Sequence, residues 1–84
     1  MPIVRTQRTG LADKLATFGA VVKATVEADP ANLYAIQELA VACQGDKKTR
    51  PHSHLIAVAA CILWLQDDVT MEYRGGKLLV GAKV

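Results

Sequence analysis

Side chains able to bind anions stand in three places in the sequence. Two arginines lie near the start, five basic or imidazole residues fall between Lys47 and His54, and two more flank the Gly75-Gly76 pair. Arg and Lys neutralise phosphate charge, and a helix N-terminus offers unpaired backbone N–H groups to anions. Each place is expected at the surface, which predicts a site for nucleic acid or another acidic partner. The residues are Arg5, Arg8, Lys47, Lys48, Arg50, His52, His54, Arg74 and Lys77.

A metal site is the second chemistry that these residue types allow. The two cysteines, Cys43 and Cys61, and the histidines at positions 52 and 54 supply the thiols and imidazoles that zinc prefers. Structural zinc sites pair their ligands at short spacings, whereas these cysteines are isolated in the sequence. Histidines two residues apart would also point about 200° apart on a helix. We therefore predict no bound metal and no cofactor.

Nucleophilic catalysis by Cys43 is the third chemistry. Nearby lysines would lower the pKa of its thiol, and His52 or His54 would serve as the base. No third orienting group, oxyanion motif, glycine-rich phosphate loop or cofactor fingerprint accompanies them. The sequence therefore predicts no catalytic residue and a protein that is not an enzyme.

The setting of the cysteines predicts reduced thiols. Both lie within apolar helical patterns, and the first ten residues lack the long apolar core of a secretory signal. We expect a cytoplasmic protein with two buried, unpaired thiols. A disulfide between Cys43 and Cys61 stays open as the alternative.

Length and composition predict one small domain that does not enter a membrane. Eighty-four residues, 51% of them hydrophobic, suffice for a single core. Aromatic residues are few and alanine is abundant, which favours closely packed helices. The net charge of +2 permits a polyanionic partner without requiring one. The uncharged run from Leu55 to Leu65 is well short of the roughly 20 residues that cross a bilayer.

Residues 1–9 are predicted to form an extended basic arm, and residues 10–84 a single helical domain with a C-terminal hairpin. The first helix should run from about Gly10 to Asp29 and carry an apolar face. It also carries alanine at every fourth position, which predicts a close helix contact within the chain or between chains. These alanines are Ala12, Ala16, Ala20, Ala24 and Ala28.

Two further helices are predicted. Asp29 as N-cap and Pro30 at the first helical position should start the second helix, which Gly45 ends. The third should be capped by Thr49 or Ser53, with a proline in its first turn. Its run of eleven uncharged residues is apolar around the whole circumference, which predicts burial on all sides. Where the rest of the chain cannot cover it, a second subunit must, so we expect a homodimer.

The C-terminal segment is predicted to be a two-stranded hairpin. Gly75-Gly76 suits a two-residue turn that requires positive φ angles. One apolar side should pack on the helices. Two like charges face each other at the tip and repel, so a nearby anion would relieve them. The predicted pairs are Val69 with Ala82, Met71 with Val80, Glu72 with Leu79, Tyr73 with Leu78 and Arg74 with Lys77.

The order of an arm, three helices and a hairpin resembles the layout of winged-helix DNA-binding domains, in which the hairpin is the wing. The resemblance is topological, covers most of the chain and rests on no specific motif. A helix that reads bases in the major groove needs a polar face over several turns, whereas the third helix is polar only in its first. Phosphate contact is therefore favoured over base reading.

Two functions fit these features. The first is a small, dimeric nucleic-acid-binding domain that grips phosphates through the arm, the N-terminus of the third helix and the hairpin tip. The second is a small protein-interaction module, such as an inhibitor or adaptor from a phage or other mobile element, that docks on a larger protein. The near-neutral charge and the lack of catalytic motifs suit both.

Overall fold

The fold is built from short helices around one small sheet, as seen in a computed structural model that describes residues 10–83. The predicted arm, with Arg5 and Arg8, lies outside the described residues, as does Val84. The described chain forms three helices and a three-stranded antiparallel sheet. The elements are α1 (Leu11–Ala28), β1 (Tyr34–Ala35), α2 (Ile36–Gln44), α3 (Ser53–Leu65), β2 (Val69–Arg74) and β3 (Lys77–Ala82).

The mostly helical class is confirmed, and the predicted hairpin is present in the predicted register. Strands β2 and β3 pair antiparallel, with Tyr73 opposite Leu78 and Arg74 opposite Lys77. Gly75 and Gly76 both have positive φ angles, 59° and 78°, as a two-residue turn of this kind requires. The sheet nevertheless has three strands rather than two, because β1 pairs with the free edge of β3 in the order β1-β3-β2.

The predicted start of the second helix at Asp29-Pro30 is wrong, since α2 begins at Ile36. The Asp29 carboxylate instead accepts hydrogen bonds from the side-chain amide of Asn32 at 2.8 Å and from the hydroxyl of Tyr34 at 3.0 Å. The latter bond is the main reason that the pKa of Tyr34 is raised, because the carboxylate stabilises the protonated phenol. These bonds hold the segment in a turn that leads into β1.

The start of α2 is capped by the side chain of Glu38 rather than by Asp29. The backbone N–H of Ala35 donates to Oε1 of Glu38 at 2.9 Å, which satisfies one donor just before the helix begins. Gly45 ends the helix as predicted and has a positive φ of 57°, but its ψ of −128° lies outside the left-handed helical region expected of a C-terminal glycine. Helix α2 is therefore nine residues long, shorter than the sequence pattern indicated.

The core consists of small aliphatic side chains from every helix and from the hairpin. Side chains from α1 and α2 meet the inner side of α3 and one face of the sheet. No described side chain leaves a buried nitrogen or oxygen atom without a hydrogen-bond partner. The buried cluster comprises Val22, Val26, Leu39, Ala40, Ile56, Ala60, Val69, Val80 and Ala82.

Helix α3 departs from the expectation of burial on all sides. It begins at Ser53 with His52 as N-cap, so the preceding proline lies before the helix rather than in its first turn. Ile56, Ala59 and Ala60 are buried, yet the opposite side of the helix remains exposed. Helices α1 and α2 and the hairpin cover only part of the circumference. None of the helices in residues 10–83 has the length and apolar character to cross a bilayer.

The alanine ridge of α1 makes no close helix contact through its alanines within the described chain. Ala12, Ala16 and Ala20 are exposed and line an open groove of about 570 Å³ between α1 and α3. The buried Gly19 faces α3 instead, at ordinary packing distance. A Cβ atom built on Gly19 would lie 4.0 Å from the side chain of Leu63.

Removing the side chain at the centre of α2 should test this core. Leu39 is fully buried, so Leu39→Ala should lower the free energy of unfolding by about 2–5 kcal/mol through lost burial and a cavity. Val41→Ala on the same helix is the control, because Val41 is half exposed and should cost less than about 1 kcal/mol. Urea unfolding followed by circular dichroism measures both, and equal losses would contradict the packing described.

Candidate nucleic-acid interface

The basic loop, residues 46–52, joins α2 to α3 and is fastened to the end of α2. The Gln44 side-chain amide donates to the carbonyl oxygen of Lys47 at 2.8 Å and to that of Lys48 at 3.5 Å. The backbone N–H of Lys47 returns a bond to the Gln44 carbonyl at 3.1 Å. Gln44 thus shapes the loop, a role that sequence reasoning missed. Its only signal was a polar side chain at the last helical position before Gly45.

The cations of the basic loop are free of carboxylate partners. Lys47, Lys48 and Arg50 are exposed, and no acidic group within residues 10–83 forms an ion pair with any of them. Together with the single carboxylate of Asp46, they give this segment a formal charge of +2, equal to that of the whole chain. Within residues 10–83, whose formal charges sum to zero, the basic loop is therefore a positively charged segment.

The N-terminus of α3 adds backbone donors to the same place. The carbonyl of His52 accepts hydrogen bonds from the N–H groups of Leu55 at 3.0 Å and Ile56 at 3.4 Å. No side chain caps the first turn of the helix. With Leu55 and Ile56 already bonded to His52, the donors left for an anion beside the basic loop are the N–H groups of Ser53 and His54.

The two histidines adjoin the loop and lie together. His52 has an extended backbone (φ −64°, ψ 134°) and is not helical, so the expectation that the two rings point about 200° apart is wrong. The imidazoles of His52 and His54 stack, with ring centroids 5.3 Å apart and planes inclined at 22°. Among the described residues, no group of three or more His, Cys, Asp or Glu side chains is placed to hold a metal ion.

One of the two like charges at the hairpin tip has an acidic partner within the hairpin. Arg74 forms an ion pair with Glu72, which lies on the same face of β2. Glu72 therefore offsets the predicted repulsion between Arg74 and Lys77 from within the hairpin, and no external anion is needed to relieve it. Lys77 is exposed and forms no ion pair with a described residue.

The basic loop and the hairpin tip lie at opposite ends of α2. Lys77 shares a shallow depression with Ile36 and Gln37 at the start of that helix, whereas the basic loop follows its last residue. Nine helical residues rise about 13 Å, which separates the two positive places. The structure unites Lys47, Lys48, Arg50, His52 and His54, but not Arg74 and Lys77.

An aromatic surface, missed by the sequence, lies near the other end of α3. Trp64 is 51% exposed and Tyr73 is 75% exposed, and both line a shallow pocket of about 240 Å³ with Cys61, Met71 and Leu78. Tyr73 was expected to pack on the helices with the apolar side of the hairpin. It is exposed because it stands near the tip, where the helices no longer cover the sheet.

The two cysteines are free thiols, each half-buried. The Cys43 thiol points to the carbonyl oxygen of Phe18, with an Sγ to O distance of 3.8 Å. Burial raises the pKa of Cys43, because the thiolate loses hydration in this setting. The lysines of the basic loop therefore do not activate it, contrary to what a nucleophile there would need.

Alkylation of Cys43 should show this raised pKa. In a Cys61→Ser variant, the rate of reaction with iodoacetamide should reach its midpoint at a higher pH than for a cysteine in a short unstructured peptide. Only the thiolate reacts, and burial shifts its formation to higher pH. A midpoint below that of the peptide would instead reveal an activated thiolate and reopen nucleophilic chemistry at this position.

Comparisons with known proteins assign no family to this arrangement. No family model matches the chain. No curated protein and no solved structure matches it either. The functional argument therefore stands on the charge, exposure and placement of its own side chains.

Proposed function

We propose that the chain is a small nucleic-acid-binding domain that grips phosphates through its basic loop and the N-terminus of α3. The observation that carries the proposal is the set of three exposed cations, Lys47, Lys48 and Arg50, without an acidic partner in residues 10–83. Exposed cations on a folded surface are most often balanced locally or dispersed. Here the three cations lie within four consecutive positions, and Gln44 holds the backbone at Lys47 and Lys48.

The chemistry of the loop suits phosphate contact. Arg50 presents a planar guanidinium able to donate two parallel hydrogen bonds to phosphate oxygens, while the two lysines act as point charges. The free backbone N–H groups at the start of α3 add neutral hydrogen-bond donors for a phosphate. The stacked rings of His52 and His54 border this place and offer N–H donors on the same surface.

The same geometry argues against sequence readout by α3. Contacts with base edges require polar side chains along the helix face that enters the groove. The exposed side of α3 beyond His54 carries Val58, Ile62 and Leu65 instead. Binding should therefore be strongly salt-dependent and only weakly selective for sequence, because phosphate contacts carry no base information.

A winged-helix layout is the finer form of this proposal. It is supported by the order of three helices followed by the β2–β3 hairpin, and by the pairing of β1, between α1 and α2, with β3. The hairpin would then be the wing, with Lys77 and Arg74 as a second contact about 13 Å from the basic loop. Arg5 and Arg8 complete the proposed phosphate-binding set.

A second candidate function, docking on a larger protein as an inhibitor or adaptor, is favoured by the aromatic surface. Tryptophan and tyrosine are enriched among the residues that dominate protein interfaces. Trp64 and Tyr73 present such side chains beside Met71 and Leu78, away from the basic loop. This surface uses none of the cations that carry the first proposal, so the two functions can be separated by mutation.

Salt dependence of DNA binding tests the first proposal. Replacing Lys47, Lys48 and Arg50 by alanine should remove most of the affinity for duplex DNA. It should also flatten the slope of log K against log salt by about 2.7, since each phosphate contact contributes about 0.9. Fluorescence anisotropy with a labelled duplex at several salt concentrations measures both quantities.

A variant of equal charge provides the control. Replacing Lys14, Lys23 and Lys83 by alanine removes the same number of cations from other surfaces, and the exposed ion pairs of Lys23 and Lys83 contribute little to stability. This control should keep most of the affinity and the slope. Equal losses in both triple variants would show only general attraction by net charge, and no binding by the native chain would refute the proposal.

Fluorescence of Trp64 separates the two functions. Trp64 is the single tryptophan and lies about 16 Å along α3 from Ser53, so DNA held by the basic loop without contact from the wing should leave its emission unchanged. DNA that also contacts the wing at Arg74, next to Tyr73 in the pocket of Trp64, would alter that emission. A protein docked on the aromatic surface should shift that emission. Trp64→Ala with Tyr73→Ala should then abolish stoichiometric co-purification from the native host, while the triple variant of the basic loop should not. The reverse pattern would rule out docking there.

A further inference from the structure

The exposed side of α3 carries a regular apolar stripe, here called the α3 seam: Leu55, Val58, Ile62 and Leu65. Their spacing of three, four and three residues is that of a helix that packs along another helix. Leu55 is partly buried, whereas Val58 is 45% and Leu65 78% exposed. The seam faces away from the core formed by Ile56 and Ala60.

The seam is unusual because α3 contains no Asp, Glu, Lys or Arg among its thirteen residues. A helix on the surface of a small domain normally turns charged side chains to solvent, and one that is apolar all round is buried. The seam is also continuous with the groove between α1 and α3, since Ile62 lines both. Contiguous exposed apolar surface is typical of a contact with another molecule.

We infer that the α3 seam packs against the α3 seam of a second copy of this chain, with the two helices antiparallel. Its sequence is symmetric in character about Ala60. An antiparallel pair centred there sets Leu55 against Leu65 of the other copy and Val58 against Ile62. The seam is thus self-complementary, as a two-fold interface requires. This inference is independent of phosphate binding.

Charge selects the antiparallel orientation. The N-terminal end of α3 adjoins the cations of the basic loop, and its C-terminal end is followed by Asp67 and Asp68. An antiparallel pair brings each positive end to the negative end of the other copy, and the helix dipoles align favourably. A parallel pair would bring the two basic loops together. Asp67 keeps 78% of its side chain exposed despite its ion pair with Lys83, so it remains accessible to a second chain.

The groove beside the seam enlarges the contact. Two helices alone bury little area, whereas stable interfaces bury upwards of about 1,000 Å² in total. The groove of about 570 Å³ adds the exposed alanines Ala12, Ala16 and Ala20, whose small side chains permit a close approach. The alanine ridge, which finds no close partner within the described chain, then has one in the dimer.

Mass in solution tests the dimer. The full chain should run at twice its 9.0 kDa mass by light scattering coupled to size exclusion. Ile62→Lys and Leu65→Lys, made separately, should each weaken dimerisation more than about tenfold by placing a charge in an apolar contact. Val41→Lys is the control, because Val41 on α2 is 50% exposed, between Ile62 at 38% and Leu65 at 78%, and lies outside the seam.

The outcomes are distinct. Leu65 is so exposed that its replacement should leave the monomer folded, which circular dichroism checks. A native chain that runs as a monomer would overturn the inference, whether or not another protein later binds the seam. Dimers that persist in both seam variants, or that are lost equally in Val41→Lys, would also overturn it.

Cross-linking tests the orientation. With Cys43 and Cys61 replaced by serine, a mixture of Leu55→Cys and Leu65→Cys chains should form the mixed disulfide in preference to either symmetric one. The two positions face each other in the antiparallel pair. Preference for the symmetric products would indicate a parallel pair and refute the orientation proposed here.

Discussion

The absence of charge from α3 is the constraint on which the rest of the structure depends. Thirteen uncharged residues in a chain of 84 demand more covering surface than two short helices and a hairpin provide. One side of α3 is covered, because Ile56, Ala59 and Ala60 are buried against α1, α2 and the sheet. The opposite side of α3 stays exposed, so the same helix forms both part of the core and an apolar surface.

This constraint also decides where the charges of the protein stand. Helix α3 carries no charged residue, whereas three cations lie in the basic loop before it and two carboxylates, Asp67 and Asp68, lie after it. The acidic end is partly neutralised by Lys83 and Lys23, whereas the basic end has no such partners in residues 10–83. The helix therefore separates a positive end without ion-pair partners in residues 10–83 from a negative end that is partly neutralised. Its apolar side decides against base reading, and its positive end favours phosphate.

The sequence predicted those parts of the fold that follow from local rules. The hairpin register followed from Gly75-Gly76, because a two-residue turn leaves one pairing for the flanking residues. The start of α2 could not be predicted in this way. Asp29-Pro30 is a good local start signal, yet pairing of Tyr34 and Ala35 with β3 competes with it, and that contact spans more than forty residues of sequence.

In the candidate site, too, the features set by local sequence were predictable and those set by tertiary contacts were not. The five basic and imidazole residues fall within the eight positions 47–54, so their proximity needed no tertiary information. The separation of Arg74 and Lys77 from them depends on the direction of α2 relative to the sheet, which no local pattern encodes. Gln44 and the aromatic surface were missed for the same reason, since a hydrogen bond to a loop carbonyl and an uncovered tyrosine appear only once the elements are placed.

The proposed dimer and the proposed function are linked by the distance between the two basic loops. Seven residues separate Ser53 from Ala60, so an antiparallel pair centred on Ala60 places the two helix N-termini about 21 Å apart. Each Arg50 lies three residues further out and extends the span by up to about 10 Å at either end. The resulting range includes the roughly 34–36 Å between successive turns of B-DNA that dimeric binders use. The helix that cannot read bases would then act by setting the spacing of two phosphate-binding loops.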